Sequence, residues 1–267
     1  MKHKAVIFDL WGTLVPGMPR QEYQLVLERM AASLSVPLDD FNRIWFETAR
    51  ERNLGTIKSI EDNIRYICEH LRVRVGDAEF RRAVQIRLEF TTRTMRPRPD
   101  AIEVLSHLKS RGFKLGLISN CSCDNPVVWK DTPFVPLFDV IVFSSSVGMV
   151  KPDPRIYLLA AEQLAVKPED CLYVGDGASQ ELPGAAGVGM TPVLIRVSGD
   201  GDEDNPYRIK SDEWGGLRVS SLSEVLKLLE CYPFISVIST NRRRTKGDTP
   251  LESPAKRGYT PLDTPKR

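Results

Sequence analysis

Three acids, one lysine and a serine each follow a short apolar run. Ala5–Phe8 leads into Asp9, in Phe8-Asp9-Leu10-Trp11-Gly12-Thr13-Leu14. A carboxylate at the end of a buried strand is costly unless it is paired or ligates a metal, so Asp9 needs a partner. Standing alone it would read as a turn cap. Leu115–Ile118 leads into Ser119-Asn120, a hydroxyl and an amide suited to an anion's oxygens. Val140–Phe143 precedes Val150-Lys151-Pro152-Asp153-Pro154, which holds a lysine in a proline-flanked turn. Leu172–Val174 runs into Gly175-Asp176-Gly177-Ala178-Ser179-Gln180-Glu181 and adds two more carboxylates. Three carboxylates against one lysine leave a negative excess that suits Mg²⁺, a hard cation that prefers oxygen ligands.

These residues can meet only if the apolar runs lie side by side. Runs without in/out alternation suit strands buried on both faces of a parallel sheet. Val193–Ile195 is another such run. Helical patterns separate them: Ala101–Arg111 after Asp100, Pro154–Leu164 after Asp153, and Leu222–Leu229 after Ser221, each opened by an N-cap residue type. The alternation predicts an α/β fold, an open doubly wound parallel sheet. All strand ends then point one way, and Asp9, Ser119, Lys151, Asp176 and Glu181 converge. Between Pro16 and Arg98 the periodicity is helical instead, over Glu22–Leu34, Asp40–Arg52, Ile60–Leu71 and Asp77–Thr92. The expected organisation is a core of residues 1–15 and 99–232, with an all-helical insertion, 16–98, set as a lid over the carboxyl ends of the strands.

Composition narrows the class. The chain has 267 residues and is 42% hydrophobic and 27% charged, as globular proteins are. It contains no apolar run long enough for a membrane span. Its five cysteines are scattered and form no disulfide framework, so a reducing, cytoplasmic compartment is expected. Residues 241–267 carry eight Lys/Arg against three Asp/Glu and four Ser/Thr-Pro pairs, and are expected to be a basic, disordered tail. Such a tail suits contact with an acidic partner. With Tyr259 as its one aromatic it lacks a stacking row for nucleic acid.

At this point the chain resembles the haloacid dehalogenase-like hydrolase superfamily, over residues 4 to 230. Four motifs in order after four strands carry the likeness, and the helical insertion matches the family's helical cap. The resemblance implies a Rossmann-like core and a hydrolase of a small phosphorylated metabolite. Asp9 is then the nucleophile of an aspartyl-phosphate, and Lys151 a catalytic residue offsetting its charge. Ser119, Asn120 and Lys151 bind the phosphate, and Mg²⁺ is held by Asp9, the Trp11 backbone carbonyl and Asp176, with Glu181 as a direct or water-linked support. Either a monomer or a homodimer fits. One departure stands out. Phosphatases of the family carry a second aspartate two residues after the nucleophile as general acid, and here that residue is Trp11. General acid catalysis is worth about 10²–10⁴ in rate, so alkyl phosphates should react slowly. Trp11 also keeps two alternatives open: a metal-independent 2-haloacid dehalogenase, and a catalytically weak protein that binds a phosphorylated ligand.

The remaining polar residues read as structural. Arg43, Arg50 and Arg52 are available for the cap arginine that the family's dehalogenases use, with solvated helix charges as the default. Lys58 is the one lysine between Pro16 and Arg98 on which a Schiff-base chemistry could rest, with surface exposure as the default. His3, His70 and His107 form no cluster, Cys121 and Cys123 read as packing residues near the site, and Asp200–Asp204 reads as a solvated turn.

Overall fold

The computed structural model describes residues 3–200 and 213–231, with the backbone alone of Cys231; the predicted tail, 241–267, lies outside the described residues. Among the described residues six strands form one sheet: β1 (Ala5–Phe8), β2 (Lys114–Ser119), β3 (Val140–Phe143), β4 (Cys171–Gly175), β5 (Thr191–Ile195) and β6 (Leu217–Val219). Their order is β3-β2-β1-β4-β5-β6, and every pairing is parallel. This is the doubly wound arrangement expected from the sequence, and its strand order reverses between β1 and β4, where open α/β sheets bind ligands. β6, too short and too polar to read as an apolar run, was not anticipated.

Successive side chains of each strand enter opposite cores. Val6, Phe8, Leu115, Leu117, Leu172, Val174, Val193 and Ile195 face one cluster, which α6 (Ala101–Ser110) and α11 (Leu222–Cys231) cover. Ala5, Ile7, Ile118, Cys171, Tyr173 and Leu194 face the other, under α9 (Pro154–Gln163) and α10 (Glu181–Gly187). Burial on both faces explains why the strands lack alternation in sequence.

A third cluster is built from the insertion alone, apart from Cys123. α1 (Arg20–Ser33), α2 (Leu38–Glu47), α3 (Ala49–Asn53), α4 (Ile60–His70) and α5 (Asp77–Thr94) pack around Leu27, Met30, Phe41, Trp45, Ile64 and Phe90. The helix read over Asp40–Arg52 is in fact two. The Thr48 hydroxyl bonds back to the carbonyls of Ile44 and Trp45 at 2.8 and 3.2 Å and ends α2 there. Two short helices, α7 (Asp124–Trp129) and α8 (Ser144–Val147), follow β2 and β3. Gly55 (φ 68°) presses the insertion onto the core, because a Cβ there would lie 1.8 Å from the Ser145 carbonyl oxygen. No described helix is long and apolar enough to cross a membrane.

Capping follows the sequence in part. Asp153 accepts the Arg155 N–H at 3.0 Å, and Ser221 accepts from Glu224. Asp100 does not cap α6. Its backbone is already helical (φ −95°, ψ −5°), and its carboxylate instead accepts the N–H and hydroxyl of Ser223, tying α6 to α11.

Candidate active site

Five of the residues singled out in the sequence meet at the carboxyl edge of the sheet, on either side of the β1/β4 reversal. Asp9 follows β1, Ser119 ends β2, Asp176 follows β4, Glu181 opens α10 and Lys151 follows α8; all are nine-tenths or more buried. The Lys151 ammonium is the hub. It donates to Asp9 Oδ1 and Glu181 Oε2 at 2.6 Å each, and to the Ile118 carbonyl and Tyr173 hydroxyl at 3.2 Å each. Carboxylate oxygens of Asp9, Asp176 and Glu181 lie within 4.8 Å of one another.

The backbone fixes each acid. Asp9 N–H donates to the Val174 carbonyl at 2.9 Å, locking β1 to β4 two residues before Asp176. Thr13, reached through the sharp turn at Gly12 (φ 78°), donates its hydroxyl to Asp9 Oδ2 at 3.3 Å. Asp176 accepts the Ala178 N–H at 2.9 Å. Glu181 passes beneath Gly175, where a Cβ would lie 2.3 Å from its Oε1, and that oxygen accepts the Gly177 N–H at 2.8 Å. Glycine at 175 is what lets the acid reach the lysine.

Electrostatics follow from burial. Desolvation pushes the Asp9 carboxyl up; Lys151 opposes this and the Asp176 carboxylate adds to it. Glu181 is raised for the same first reason, again opposed by Lys151. Burial works against the charge on Lys151, but Asp9 and Glu181 outweigh it and hold the ammonium above the usual lysine range. The site is therefore a charged lysine between two carboxylates, with a third acid beside the first. This donor set is all oxygen, which fits a hard divalent cation rather than a thiophilic one.

Asn120, expected on phosphate oxygens, accepts the Lys151 N–H at 2.8 Å with its side-chain oxygen and donates one of its two amide hydrogens to the Lys151 carbonyl at 3.1 Å. A side-chain amide facing a peptide makes that two-way bond, and Asn120 braces the lysine. Ser119 Oγ is buried with no hydrogen-bond partner among the described residues. The Trp11 indole N–H donates to Asn125 Oδ1 at 3.0 Å. Arg43 is exposed and paired with Asp40 and Glu47, Arg50 and Lys58 are exposed, and Arg52 is buried. Cys121 and Cys123 are buried thiols; desolvation raises both, Cys123 to about 11, which leaves them inert at neutral pH.

Two contributors escaped the sequence. Tyr173 sits inside an apolar strand, and its hydroxyl donates to Glu181 at 2.8 Å; a tyrosine within a doubly buried run was the available signal, because its hydroxyl must find a partner. Arg98, 5% exposed, donates to the Thr13 and Gly12 carbonyls at 2.8 and 3.1 Å and clamps the turn after Asp9. Its other partner is Asp200, which is therefore an ion-paired anchor and not a solvated turn residue. An isolated arginine gave no sequence signal. A groove of about 690 Å³ lies elsewhere, on the outer face of α4 and α5, and includes none of these residues.

Comparison with known proteins places this geometry in context. Residues 3–189 match the family described as haloacid dehalogenase-like hydrolase. A glyceraldehyde 3-phosphate phosphatase of Methanopyrus kandleri is 36% identical over 38% of the chain, an alignment that spans only 44% of that protein. The corresponding phosphatase of Pyrococcus furiosus is 29% identical over 85% of the chain and 93% of its own length. An (S)-2-haloacid dehalogenase of Pseudomonas putida is 27% identical over 66% of the chain and 77% of its own length. Among solved structures, a HAD phosphatase from Thermococcus onnurineus superposes with a TM-score of 0.57 at 25% identity, covering 85% of this chain and 97% of that one.

Proposed function

The chain belongs to the haloacid dehalogenase-like hydrolase family, and from that membership we propose that it is a Mg²⁺-dependent phosphatase of a small phosphorylated metabolite, working through an aspartyl-phosphate on Asp9. The observation that carries this reading is the carboxylate of Asp176 beside that of Asp9. Beyond the larger effect of desolvation, it raises the Asp9 carboxyl further and so penalises the ionised form a nucleophile needs. A divalent cation held by both carboxylates would offset that penalty. Asp9, Asp176 and the Trp11 carbonyl are the residues to hold Mg²⁺, with Glu181 supporting from behind Lys151. The cation supplies positive charge where nucleophile and phosphate, both anionic, must approach.

The protein's own groups do the rest. Lys151 favours the ionised form of Asp9 against desolvation and orients it through Oδ1, and Thr13 holds Oδ2. Ser119, with an unused buried hydroxyl, is suited to donate to a phosphoryl oxygen. In the first step an Asp9 oxygen bonds to phosphorus and the ester P–O bond breaks, its electron pair leaving on the substrate oxygen. Trp11 has no acidic proton to give, so that oxygen is protonated by water. In the second step a water oxygen bonds to phosphorus, the Asp9 O–P bond breaks, one proton of that water neutralises the hydroxide left by the first step, and hydrogen phosphate leaves with the carboxylate restored. The helices between Arg20 and Thr94 act as the cap that closes over the ester. Relatives that are phosphatases support the reaction class.

One observation favours a second reading. Trp11 stands where a phosphatase's general acid is expected, and a haloacid dehalogenase is among the relatives. A screen of phosphate esters and 2-haloacids, with Mg²⁺ and with a chelator, separates the two. Phosphate release that stops in chelator supports the phosphatase; halide release that continues there replaces it with the dehalogenase.

A further inference from the structure

Arg98 stands where the chain returns from α5 toward α6, and it holds the stretch by which the chain left β1. Its side chain donates to two successive carbonyls, to Thr13 through Nε at 2.8 Å and to Gly12 through Nη2 at 3.1 Å. Its backbone N–H donates to the next carbonyl, that of Leu14, at 2.9 Å. One residue thus takes three carbonyls in a row from the loop that follows Asp9. The amides of that loop turn the other way. The N–H groups of Thr13, Leu14 and Val15 all donate to the Leu10 carbonyl, at 3.3, 2.9 and 3.1 Å. The loop is pinned from both sides.

The guanidinium is used on two edges. Nη1 and Nη2 face the Asp200 carboxylate, with Nη1 at 2.9 Å from Oδ1, while Nε and Nη2 take the two carbonyls. Joining the linkers needs no charge, because Leu10, Leu14, Val15 and Met95 already pack together in the core cluster. A buried guanidinium gives up its hydration, which is costly. What it supplies in return is direction: a planar fork sets the orientation of two peptides at once, and a point charge does not. Those two peptides flank Thr13, whose hydroxyl holds Asp9 Oδ2 at 3.3 Å.

We propose that Arg98 is a positioning residue for the nucleophile. By fixing the peptides on either side of Thr13 it fixes the hydroxyl that holds Asp9, and Asp200 aims the guanidinium. This deepens the phosphatase reading and needs of it only that Asp9 attacks the substrate. Arg98 bonds to neither oxygen of Asp9, so its influence reaches the reacting atoms through Thr13 and falls on kcat rather than on binding. A misplacement of about 1 Å costs about 10²-fold in rate. Loss of the fork therefore lowers kcat by about 10- to 100-fold and leaves KM within about threefold.

The test assays Arg98→Ala, Arg98→Lys and Asp200→Asn on an aryl phosphate with Mg²⁺, each well below its own melting temperature. In Arg98→Ala, millimolar guanidinium chloride restores part of kcat by entering the vacated fork, and methylammonium, with the same charge and no fork, does not. Arg98→Lys falls nearly as far as Arg98→Ala, since an ammonium cannot orient both peptides; Asp200→Asn keeps the fork on the loop and falls least. A kcat within about threefold of the wild type in either Arg98 variant overturns the proposal. So does a loss that both cations relieve alike or that neither relieves, which marks charge alone or a structural staple. If Arg98→Ala does not fold, the ranking decides, and an Asp200→Asn loss equal to that of Arg98→Lys overturns it. If the wild type releases no phosphate, the phosphatase reading fails by itself, and positioning is read without turnover by amide hydrogen exchange over residues 9–15. Arg98→Ala or Arg98→Lys then speeds exchange there by about tenfold or more; unchanged exchange overturns the proposal.

Discussion

Replacing Lys151 with methionine tests the electrostatic core of the site most severely. The stem is kept and the ammonium is lost, so Asp9 and Glu181, each 2.6 Å from Nζ, are left facing one another without it. Removing one partner of a buried ion pair costs about 3–5 kcal/mol, and here one cation serves two carboxylates, which puts the change at the upper end. At about 2–4 °C per kcal/mol for a chain of this size, the melting temperature falls by about 6–20 °C. The loss depends on pH. Without Lys151 the opposing influence on both carboxyls is gone, so their folded values rise further above the unfolded range near 4. A carboxyl raised in the folded state binds its proton more tightly there, and stability falls as pH rises through that value. Lys151→Met should therefore lag the wild type least at about pH 5 and most at about pH 8, measured by scanning calorimetry at both. A deficit under about 2 °C at either pH, or a deficit larger at the lower one, refutes the reasoning.

Asp9→Asn should abolish phosphate release by at least about 10³-fold while leaving the melting temperature within a few degrees, because Lys151 keeps Glu181; parallel kinetics and calorimetry check both halves. Trp11→Asp places a carboxyl where the family's general acid stands and should raise kcat for alkyl phosphates by about 10²-fold but hardly change aryl phosphates, a contrast read by comparing the two leaving groups. Gly175→Ala drives a Cβ to 2.3 Å from Glu181 Oε1, so a loss of about 1–3 kcal/mol in urea unfolding is expected, with reduced turnover.

The sheet and its polar edge were legible because most signals were local: an unbroken apolar run, then an acid or a serine at its end. β1, β2 and β4 with Asp9, Ser119, Asp176 and Glu181 follow from that pattern, whereas Lys151 stands beyond both β3 and α8 and was marked by its proline-flanked turn. What escaped depends on residues distant in sequence. Asp100 carries an N-cap type, yet its carboxylate serves Ser223, a partner 123 residues away. The bonds of Asn120 to the Lys151 backbone, 31 residues away, carry no signal in the sequence. Arg87 left a trace that went unread: Ala83, Arg87, Phe90 and Thr91 share the buried face of α5, and a guanidinium on an apolar stripe signals a buried counter-charge. Its partner Asp124 lies on another element, and no spacing links the two.

The most direct test is covalent. Tryptic cleavage yields the peptide of residues 5–20, in which Asp9 is the one acidic residue. Acid quench during turnover of an aryl phosphate with Mg²⁺, followed by mass spectrometry, should find a phosphoryl group on that peptide, and none in chelator or in Asp176→Asn. Phosphate released in full while Asp9 never carries the group, or an adduct that forms equally well in chelator, contradicts the account.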